Sequence, residues 1–272
     1  MIKFIHITDT HLVARGQALY GLDPRWRLQA CLDDIRRRHP DATACVITGD
    51  LAHEGHAEAY AQLAELVSDM PMPVYPILGN HDHRERFLNA CGHLVSTDGS
   101  FVQYSRLVGG HRAVFLDTNE PGVHFGVFCE RRAQWLSETL ATSREPVLLF
   151  MHHPPFDLGL PFMDSYRLLE ASPFMQAIEP HRERLRHMFF GHVHRPVSGC
   201  WQGLPFSSIR GTNHQVELEL NQTPSLIFNH EAPQYAVVLL ADQSAVVHIH
   251  DFLDRSDRFD AFTAQLLTGN LY

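Results

Sequence analysis

The chain has 272 residues, of which 44 % are hydrophobic, 10 % aromatic and 19 % charged. This composition is typical of a globular protein and excludes intrinsic disorder, because enough apolar material is present to offset the entropy lost on folding. The 31 acidic residues outnumber the 22 basic ones, and the net charge of −9 argues against binding of a nucleic-acid polymer. No apolar run approaches the roughly 18 residues that would span a membrane.

The N-terminus and the cysteines both favour a cytoplasmic protein. The opening MIKFIHITDTHL lacks the apolar stretch and the cleavage site of a secretory signal. The five cysteines are scattered without a C-x-x-C pair, which suits reduced thiols better than a disulfide framework. We therefore expect a cytoplasmic protein without a membrane partner.

The first 200 residues alternate between strand-like and helix-like segments. Short apolar runs predict strands at 3–8, 42–48, 74–78, 147–151 and 186–190. Helical spacing of apolar residues predicts helices at 24–38, 56–70, 130–142 and 172–182. Two runs, 101–107 and 112–117, flank a Val-Gly-Gly-His turn and predict a hairpin, and further strands are expected within 195–220 and 235–252.

This order of elements predicts an α/β fold. Alternating strands and helices favour a largely parallel sheet faced by helices, and the antiparallel runs indicate a mixed sheet or a second sheet. No linker divides the chain cleanly. We expect one main domain over residues 1–220 and a small C-terminal cap over residues 221–272.

Polar side chains follow the predicted strands at the sheet edge where open α/β proteins bind ligands. They come from five distant segments: Asp9, His11, Asp50, Asn80, His152, His192 and His194. Oxygen and imidazole donors suit Mn, Fe, Co or Zn. Seven ligands exceed the needs of one ion, whereas two divalent ions sharing a carboxylate would use them well. On extended backbone the members of each pair two residues apart, such as Asp9 and His11, would leave the same face.

The motifs D-x-H, G-D, G-N-H-D, H-H-P-P and G-H-V-H stand in this order over residues 1–215. In that pattern the chain resembles the metallophosphoesterase (calcineurin-like) superfamily, and within it the class III cyclic-nucleotide phosphodiesterases and their bacterial glycerophosphodiesterase relatives. The resemblance implies a four-layer α/β/β/α sandwich with a two-metal site. It also implies that residues 1–220 are the catalytic domain, and that residues 221–272 cap the site and make contacts in a homo-oligomer (a dimer or larger).

The resemblance implies a role for each motif residue. One metal would be bound by Asp9, His11 and His194, the other by Asn80, His152 and His192, and Asp50 would bridge the two. His81 matches a catalytic or phosphate-contacting histidine, and Asp82 follows it where many members have Glu, as a carboxylate that orients it. His214 lies near a position where relatives contact substrate. Because the amide of Asn80 is a weaker donor than a carboxylate, we expect the second metal to bind less tightly.

These residues predict a phosphodiesterase that cleaves small phosphodiesters, namely 3′,5′-cyclic nucleotides or glycerophosphodiesters, by in-line attack of a metal-bound hydroxide. Asn80, His81 and His214 are the predicted substrate contacts, and His81 is expected to assist the leaving group. The alternatives are a phosphomonoesterase or broad-specificity phosphoesterase and, less favoured, a non-catalytic scaffold of the same fold.

Several side chains near the motifs admit two interpretations. His152 directly follows its strand and is preferred as a ligand over His153. His53, His56 and His83 are expected outside the metal sites. The aromatic residues after His152 would either wall a substrate pocket or pack among themselves: Phe156, Phe162 and Tyr166.

Overall fold

The computed structural model describes residues 1–97, 100–221, 225–241 and 244–260. The strands are β1 (Ile2–Ile7), β2 (Cys45–Thr48), β3 (Val74–Ile77), β4 (Tyr104–Val108), β5 (His111–Phe115), β6 (Val147–Phe150), β7 (Leu185–Phe190), β8 (Val197–Trp201), β9 (Leu204–Ser208), β10 (Gln215–Val216), β11 (Phe228–Asn229), β12 (Gln234–Ala241) and β13 (Ser244–Asp251). The α-helices are α1 (Pro24–Arg38), α2 (Ala57–Val67), α3 (Arg84–Cys91), α4 (Glu130–Thr142), α5 (Pro161–Asp164) and α6 (Ser172–Ile178). Short 3₁₀ turns cover Gly92–Leu94 and Glu179–Arg184.

Two large mixed sheets form the centre of the molecule. The first has the order β13-β12-β1-β2-β3, in which β1, β2 and β3 run parallel and β12 and β13 antiparallel. The second has the order β4-β5-β6-β7-β9-β8, in which β5, β6, β7 and β9 run parallel. The β4–β5 hairpin is the one predicted from its Val-Gly-Gly-His turn.

Side-chain alternation along the strands places a helical layer outside each sheet. Phe115 and Phe150 face the first sheet, and they share its core with Leu28 of α1 and Leu63 of α2. Their strand neighbours Val114 and Leu149 face the other way. They pack against Leu136 of α4 and Phe174 of α6. The four-layer α/β/β/α prediction is confirmed, since alternate residues of these buried strands face the other sheet on one side and helices on the other.

Aromatic rings fill the space between the two sheets. The ring of Phe4 on β1 lies 5.8 Å from Phe150 and 5.4 Å from Phe189, both in edge-on contact. Two histidines, His6 and His187, are buried in the same layer. The inter-sheet layer is therefore apolar except for a small polar group.

The ends of helix α1 follow local sequence signals. Asp23 caps α1 by accepting a hydrogen bond from the Trp26 amide at 3.0 Å, and Pro24 follows at the first helical position. The predicted bounds 24–38 therefore match. No helix was predicted at α3, because its eight residues bury only Phe87 and Cys91 and carry no clear apolar stripe.

The C-terminal segment joins the first sheet. Strand β12 pairs antiparallel with β1 through five residue pairs, and β13 forms the sheet edge. Residues 261–272, part of the predicted cap, lie outside the described residues, and the division at residue 220 stays a prediction. Among the described helices, none is both long and apolar enough to cross a membrane.

Candidate metal centre

The seven predicted ligands all lie just beyond the C-terminal ends of parallel strands. Asp9 and His11 follow β1, Asp50 follows β2 and Asn80 follows β3, so these four come from the first sheet. His152 follows β6, and His192 and His194 follow β7, in the second sheet. Because the two sheets stack face to face, their ends bring both groups to one place.

The backbone at five of these residues is left-handed. The φ angles are 51° at Asp9, 44° at His11, 48° at Asp50, 70° at His192 and 49° at His194. Among the described residues other than glycine, two more have positive φ. The extended geometry predicted for the D-x-H and H-x-H pairs is therefore wrong. Backbone in this region costs roughly 1–3 kcal/mol per residue and clusters at functional sites, where the surrounding fold enforces it.

One set of four donors, the first donor set, consists of Asp9, His11, Asp50 and His194. Their ligand atoms all lie within 4.8 Å of one another, and all four residues are buried. The Nε2 atoms of His11 and His194 are 3.1 Å apart, and His194 Nε2 is 3.4 Å from Asp9 Oδ1. Donors that share one ion at about 2.1 Å stand roughly 3–3.5 Å apart, so these spacings suit a metal.

The second donor set consists of Asp50, Asn80, His152 and His192. Asn80 Oδ1 lies 3.1 Å from His152 Nε2 and 2.9 Å from His192 Nδ1. Asp50 Oδ2 lies 3.5 Å from His152 Nε2 and also 3.5 Å from His11 Nε2 of the first set. One carboxylate oxygen thus faces both donor sets, as a bridging ligand requires.

The chemistry of the donors fits a pair of cations. His194 Nδ1 donates to the His214 carbonyl at 2.8 Å and His152 Nδ1 to the Thr48 carbonyl at 2.7 Å, which directs the Nε2 atom of each ring into the site. There these nitrogens meet carboxylate and amide oxygens, which are acceptors only. His192 Nε2 is buried without a hydrogen-bond partner among the described residues.

The pKa shifts of these residues also favour bound cations. Burial raises the pKa of Asp9, and burial lowers the pKa of His11 and His192 well below their usual range. At His152, burial is outweighed by the Asp50 carboxylate, which raises the pKa to about 9. A buried carboxylate beside buried imidazoles favours a positive charge between them, which divalent cations would supply.

His81 borders the cleft next to both donor sets. Its backbone N–H donates to Asp50 Oδ1 at 2.9 Å, which leaves the other oxygen of Asp50 for the site. Its Nδ1 contacts the His53 carbonyl at 2.7 Å, so Nε2 is the ring nitrogen available to a ligand in the cleft. That His81 contacts a phosphoryl group stays a prediction.

Asp82 does not point into the cleft. The expectation that its carboxylate orients His81 is therefore wrong. Its two oxygens accept hydrogen bonds from the backbone N–H groups of Gly79 (2.9 Å), Leu51 (3.1 Å) and Ala52 (3.0 Å) and from the hydroxyl of Tyr60 (2.9 Å). Burial, followed by the nearby charge of Asp50, raises the pKa of Asp82 to about 7. Asp82 ties the loop after β2 to the loop after β3 and acts as a positioning residue.

The cleft has a histidine-rich wall and an apolar wall, and its volume is about 210 Å³. His214 belongs to the first wall, with its ring centroid 4.9 Å from that of His11. The apolar wall comes from segments outside the two large sheets: Tyr20, Phe162, Met163, Tyr166, Leu226 and Phe228. Phe156 is elsewhere, packed 4.6 Å from Trp201. Of the three aromatics after His152, two wall the cleft and one packs, half-buried, against the core of the second sheet.

Two histidines that the sequence did not place at the site line the cleft. His53 stacks on His81, with ring centroids 4.9 Å apart. His124 Nδ1 accepts from Asn80 Nδ2 at 3.1 Å, which turns the amide oxygen of Asn80 toward the second donor set. The sequence does carry one signal that His124 lies at the site, namely its place in the loop after the parallel strand β5. His153 contacts Thr118 Oγ1 at 2.7 Å and the His124 carbonyl at 3.2 Å. Its ring lies beside those of His152 and His192, so it borders the second donor set.

Comparison with known proteins agrees with this geometry. The chain is 41% identical over 256 residues to a probable cyclic nucleotide phosphodiesterase of Rhodopseudomonas palustris, covering 93% of each chain. It is 29% identical to the 3′,5′-cyclic adenosine monophosphate phosphodiesterase of Escherichia coli (74% of this chain, 73% of that one). It is 28% identical to a probable glycerophosphodiester phosphodiesterase of Arcobacter nitrofigilis (84% of this chain, 85% of that one).

The fold is also that of solved phosphoesterases. A dimetal phosphatase from Danio rerio superposes with a TM-score of 0.69 at 16% identity, covering 93% of this chain and 97% of that one. Residues 2–196, which carry every predicted metal ligand, match the calcineurin-like phosphoesterase family. The chain therefore belongs to the calcineurin-like phosphoesterase family.

Proposed function

We propose that this protein is a metal-dependent phosphodiesterase that hydrolyses small phosphodiesters in the cleft lined by His81. The observation that carries the proposal is the position of Asp50, whose Oδ2 faces an imidazole of each donor set at 3.5 Å. Members of this family use a dimetal centre. When bound, two divalent ions supply an activated water and withdraw charge from the phosphoryl oxygens.

The chain's own residues then have separate tasks. Asp50 is held by the His81 amide through Oδ1, so its other oxygen stays directed at both donor sets. His81 in its imidazolium form, held by the bond from Nδ1–H to the His53 carbonyl, donates the Nε2 proton to the leaving oxygen and keeps the Nδ1 proton. Asn80 is oriented by His124 and presents its amide oxygen. His214 extends the polar wall toward the phosphoryl group.

The apolar wall supports cyclic nucleotides over glycerophosphodiesters as the preferred substrates. The rings of Tyr20 and Phe228 lie 4.8 Å apart at the mouth of the cleft, and Phe162 and Tyr166 lie 5.5 Å apart. A nucleobase can stack on aromatic rings, whereas a glycerol or ethanolamine group would leave this surface exposed to water. The names of the relatives include both activities, so both substrate classes belong in the test.

We extend the proposal to the metal ions, the cellular location and the oligomeric state of the protein. The imidazole and carboxylate donors favour Mn, Fe, Zn or Co as the two ions. The scattered cysteines favour a cytoplasmic location. We further propose that residues 221–272 cap the cleft and contribute to a homo-oligomer, since Leu226 and Phe228 already border the cleft. Sedimentation of a single species of about 31 kDa would contradict the oligomer.

The test is an assay of three substrates on protein reconstituted with Mn²⁺. We would compare kcat/KM for 3′,5′-cAMP, glycerophosphoethanolamine and p-nitrophenyl phosphate, with Asp50→Ala as the control. A preference for cAMP supports the proposed substrate, and a preference for the glycerophosphodiester keeps the reaction but rejects the role of the aromatic wall. Fastest turnover of the monoester would make the protein a phosphomonoesterase. Equal activity of Asp50→Ala and wild type would reject the catalytic site.

A further inference from the structure

A chain of three hydrogen bonds leads from the space between the sheets to Asp9. His6 Nε2 lies 2.8 Å from Thr48 Oγ1, Thr48 Oγ1 lies 2.8 Å from Thr8 Oγ1, and Thr8 Oγ1 lies 2.7 Å from Asp9 Oδ2. All four side chains are fully buried. The chain joins β1 to β2 and ends on a member of the first donor set.

The direction of every hydrogen bond in the chain is fixed. As a metal ligand the Asp9 carboxylate is deprotonated and only accepts, so Thr8 donates its single hydroxyl proton to it. Thr8 then accepts from the hydroxyl of Thr48, and Thr48 in turn accepts from an N–H of His6. Burial, followed by the nearby His187, lowers the pKa of His6 to about 3, so the ring is neutral and its one proton is on Nε2. No member can rotate without breaking the next bond.

The chain determines which oxygen of Asp9 faces the metal site. Thr8 occupies Oδ2, while Oδ1 accepts from the His192 backbone N–H at 3.1 Å and faces His194 Nε2 at 3.4 Å. Thr48 also reaches the second donor set, because its carbonyl accepts from His152 Nδ1 at 2.7 Å. The hydroxyl and the carbonyl of one residue therefore orient one ligand of each set.

Packing alone does not account for these polar groups. His6 Nδ1 has no hydrogen-bond partner among the described residues, although it is buried between two apolar sheet faces. An unsatisfied buried nitrogen costs roughly 1–3 kcal/mol, and an apolar side chain in its place would avoid that cost. Gly191 keeps the chain closed, because a Cβ there would overlap Thr8 Oγ1.

We propose that His6, Thr48 and Thr8 are positioning residues that hold Asp9 in the orientation required to bind the metal of the first donor set. The proposal rests on the metal centre of the proposed function, not on its substrate. Within the part of the chain that the structure describes, Asp9 is the metal donor to which these side chains hydrogen-bond. Removing the Thr48 hydroxyl should therefore affect one metal site and spare the other.

The test titrates Mn²⁺ into the metal-free, full-length protein by calorimetry. Thr48→Val keeps the shape and the carbonyl but loses the hydroxyl, and should weaken one of the two Mn²⁺ sites by roughly 10–100-fold. Thr48→Ser keeps the hydroxyl and should restore wild-type affinity. The matched control is Ser207→Ala, which removes a buried hydroxyl bonded to His187 at 2.9 Å in the same layer and should leave both sites unchanged.

A double-mutant cycle separates positioning from a general loss of structure. If Thr48 acts through Asp9, Thr48→Val should have no further effect on Mn²⁺ affinity in an Asp9→Asn background, whereas independent effects would add. Wild-type affinity in Thr48→Val, equal weakening of both sites, or additive effects would each overturn the proposal. A wild type that binds no Mn²⁺ would overturn the metal centre itself, and absence of phosphodiester turnover with normal Mn²⁺ binding would overturn only the proposed reaction.

Discussion

Asp50 is a member of both donor sets. It faces both donor sets with one oxygen and is held by the His81 amide through the other. Asp50→Asn keeps the shape but removes the charge, so we expect Mn²⁺ binding to weaken at both sites and kcat to fall by more than about 100-fold, the upper range for an outer-shell partner. Metal analysis and steady-state kinetics check this. Loss of a single ion would contradict the shared role.

His81 should matter for turnover but not for metal content. Its ring borders the cleft without joining either donor set, so His81→Gln removes the proton donor and leaves the ligands in place. We expect kcat to fall by roughly 10²–10⁴-fold. The measurement is kcat together with the number of Mn²⁺ ions bound per chain. If the variant lost its metal, His81 would be acting on the ligands rather than on the substrate.

The loops after β2 and β3 can approach because Gly79 lacks a side chain. A Cβ at Gly79 would overlap Asp50 Oδ1 and lie 2.6 Å from His152 Cε1, two side chains of the second donor set. Gly79→Ala should therefore displace Asp50 and weaken Mn²⁺ binding.

Gly92→Ala is the matched control, since a Cβ at Gly92 meets no atom within 4 Å. Calorimetry should distinguish the two variants while circular dichroism shows that both are folded. Equal Mn²⁺ affinities in the two variants would show that the loops tolerate the added methyl group.

The same loops show which features of the fold and of the site can be predicted from the sequence and which cannot. Strand ends, helix α4 and the seven clustered ligands were predictable, because apolar runs and strand-end polar residues are local signals. The left-handed backbone at Asp9 and His192 was not, since no residue type requires it. The direction of Asp82 and the arrival of His124 depend on how two distant loops meet, and a single sequence does not encode that contact in any local pattern.

At the scale of the whole molecule, the buried histidines between the sheets should govern acid stability. Burial lowers the pKa of His187 to about 4 from an ordinary value of 6.5. Between these values the unfolded chain binds a proton that the folded chain excludes, so the free energy of unfolding falls as the pH falls. The slope is about 1.4 kcal/mol per pH unit for one such group.

His187→Gln should reduce that slope by about the same amount, measured by denaturant unfolding in the presence of a chelator at several pH values. His248→Gln is the control, because His248 is exposed on β13 and should leave the slope unchanged. Identical slopes in wild type and His187→Gln would show that this histidine does not determine acid stability.

Metal should stabilise the fold as a whole. Both donor sets exist only in the folded chain, so Mn²⁺ at about 100 times the dissociation constant of a site should add roughly 2.7 kcal/mol per site to the free energy of unfolding. The melting temperature of wild type should rise with Mn²⁺ concentration, and that of Asp50→Asn should rise much less. A melting temperature independent of Mn²⁺ would contradict the metal centre.

The origin of the ligands in two different sheets has a mechanical consequence. Each donor set takes residues from both: the first joins Asp9, His11 and Asp50 to His194, and the second joins Asp50 and Asn80 to His152 and His192. Two bound ions would therefore cross-link the two sheets at one end, in addition to the aromatic contacts that join them elsewhere. Metal binding should therefore reduce the motion of one sheet relative to the other, also in parts of the molecule outside the cleft.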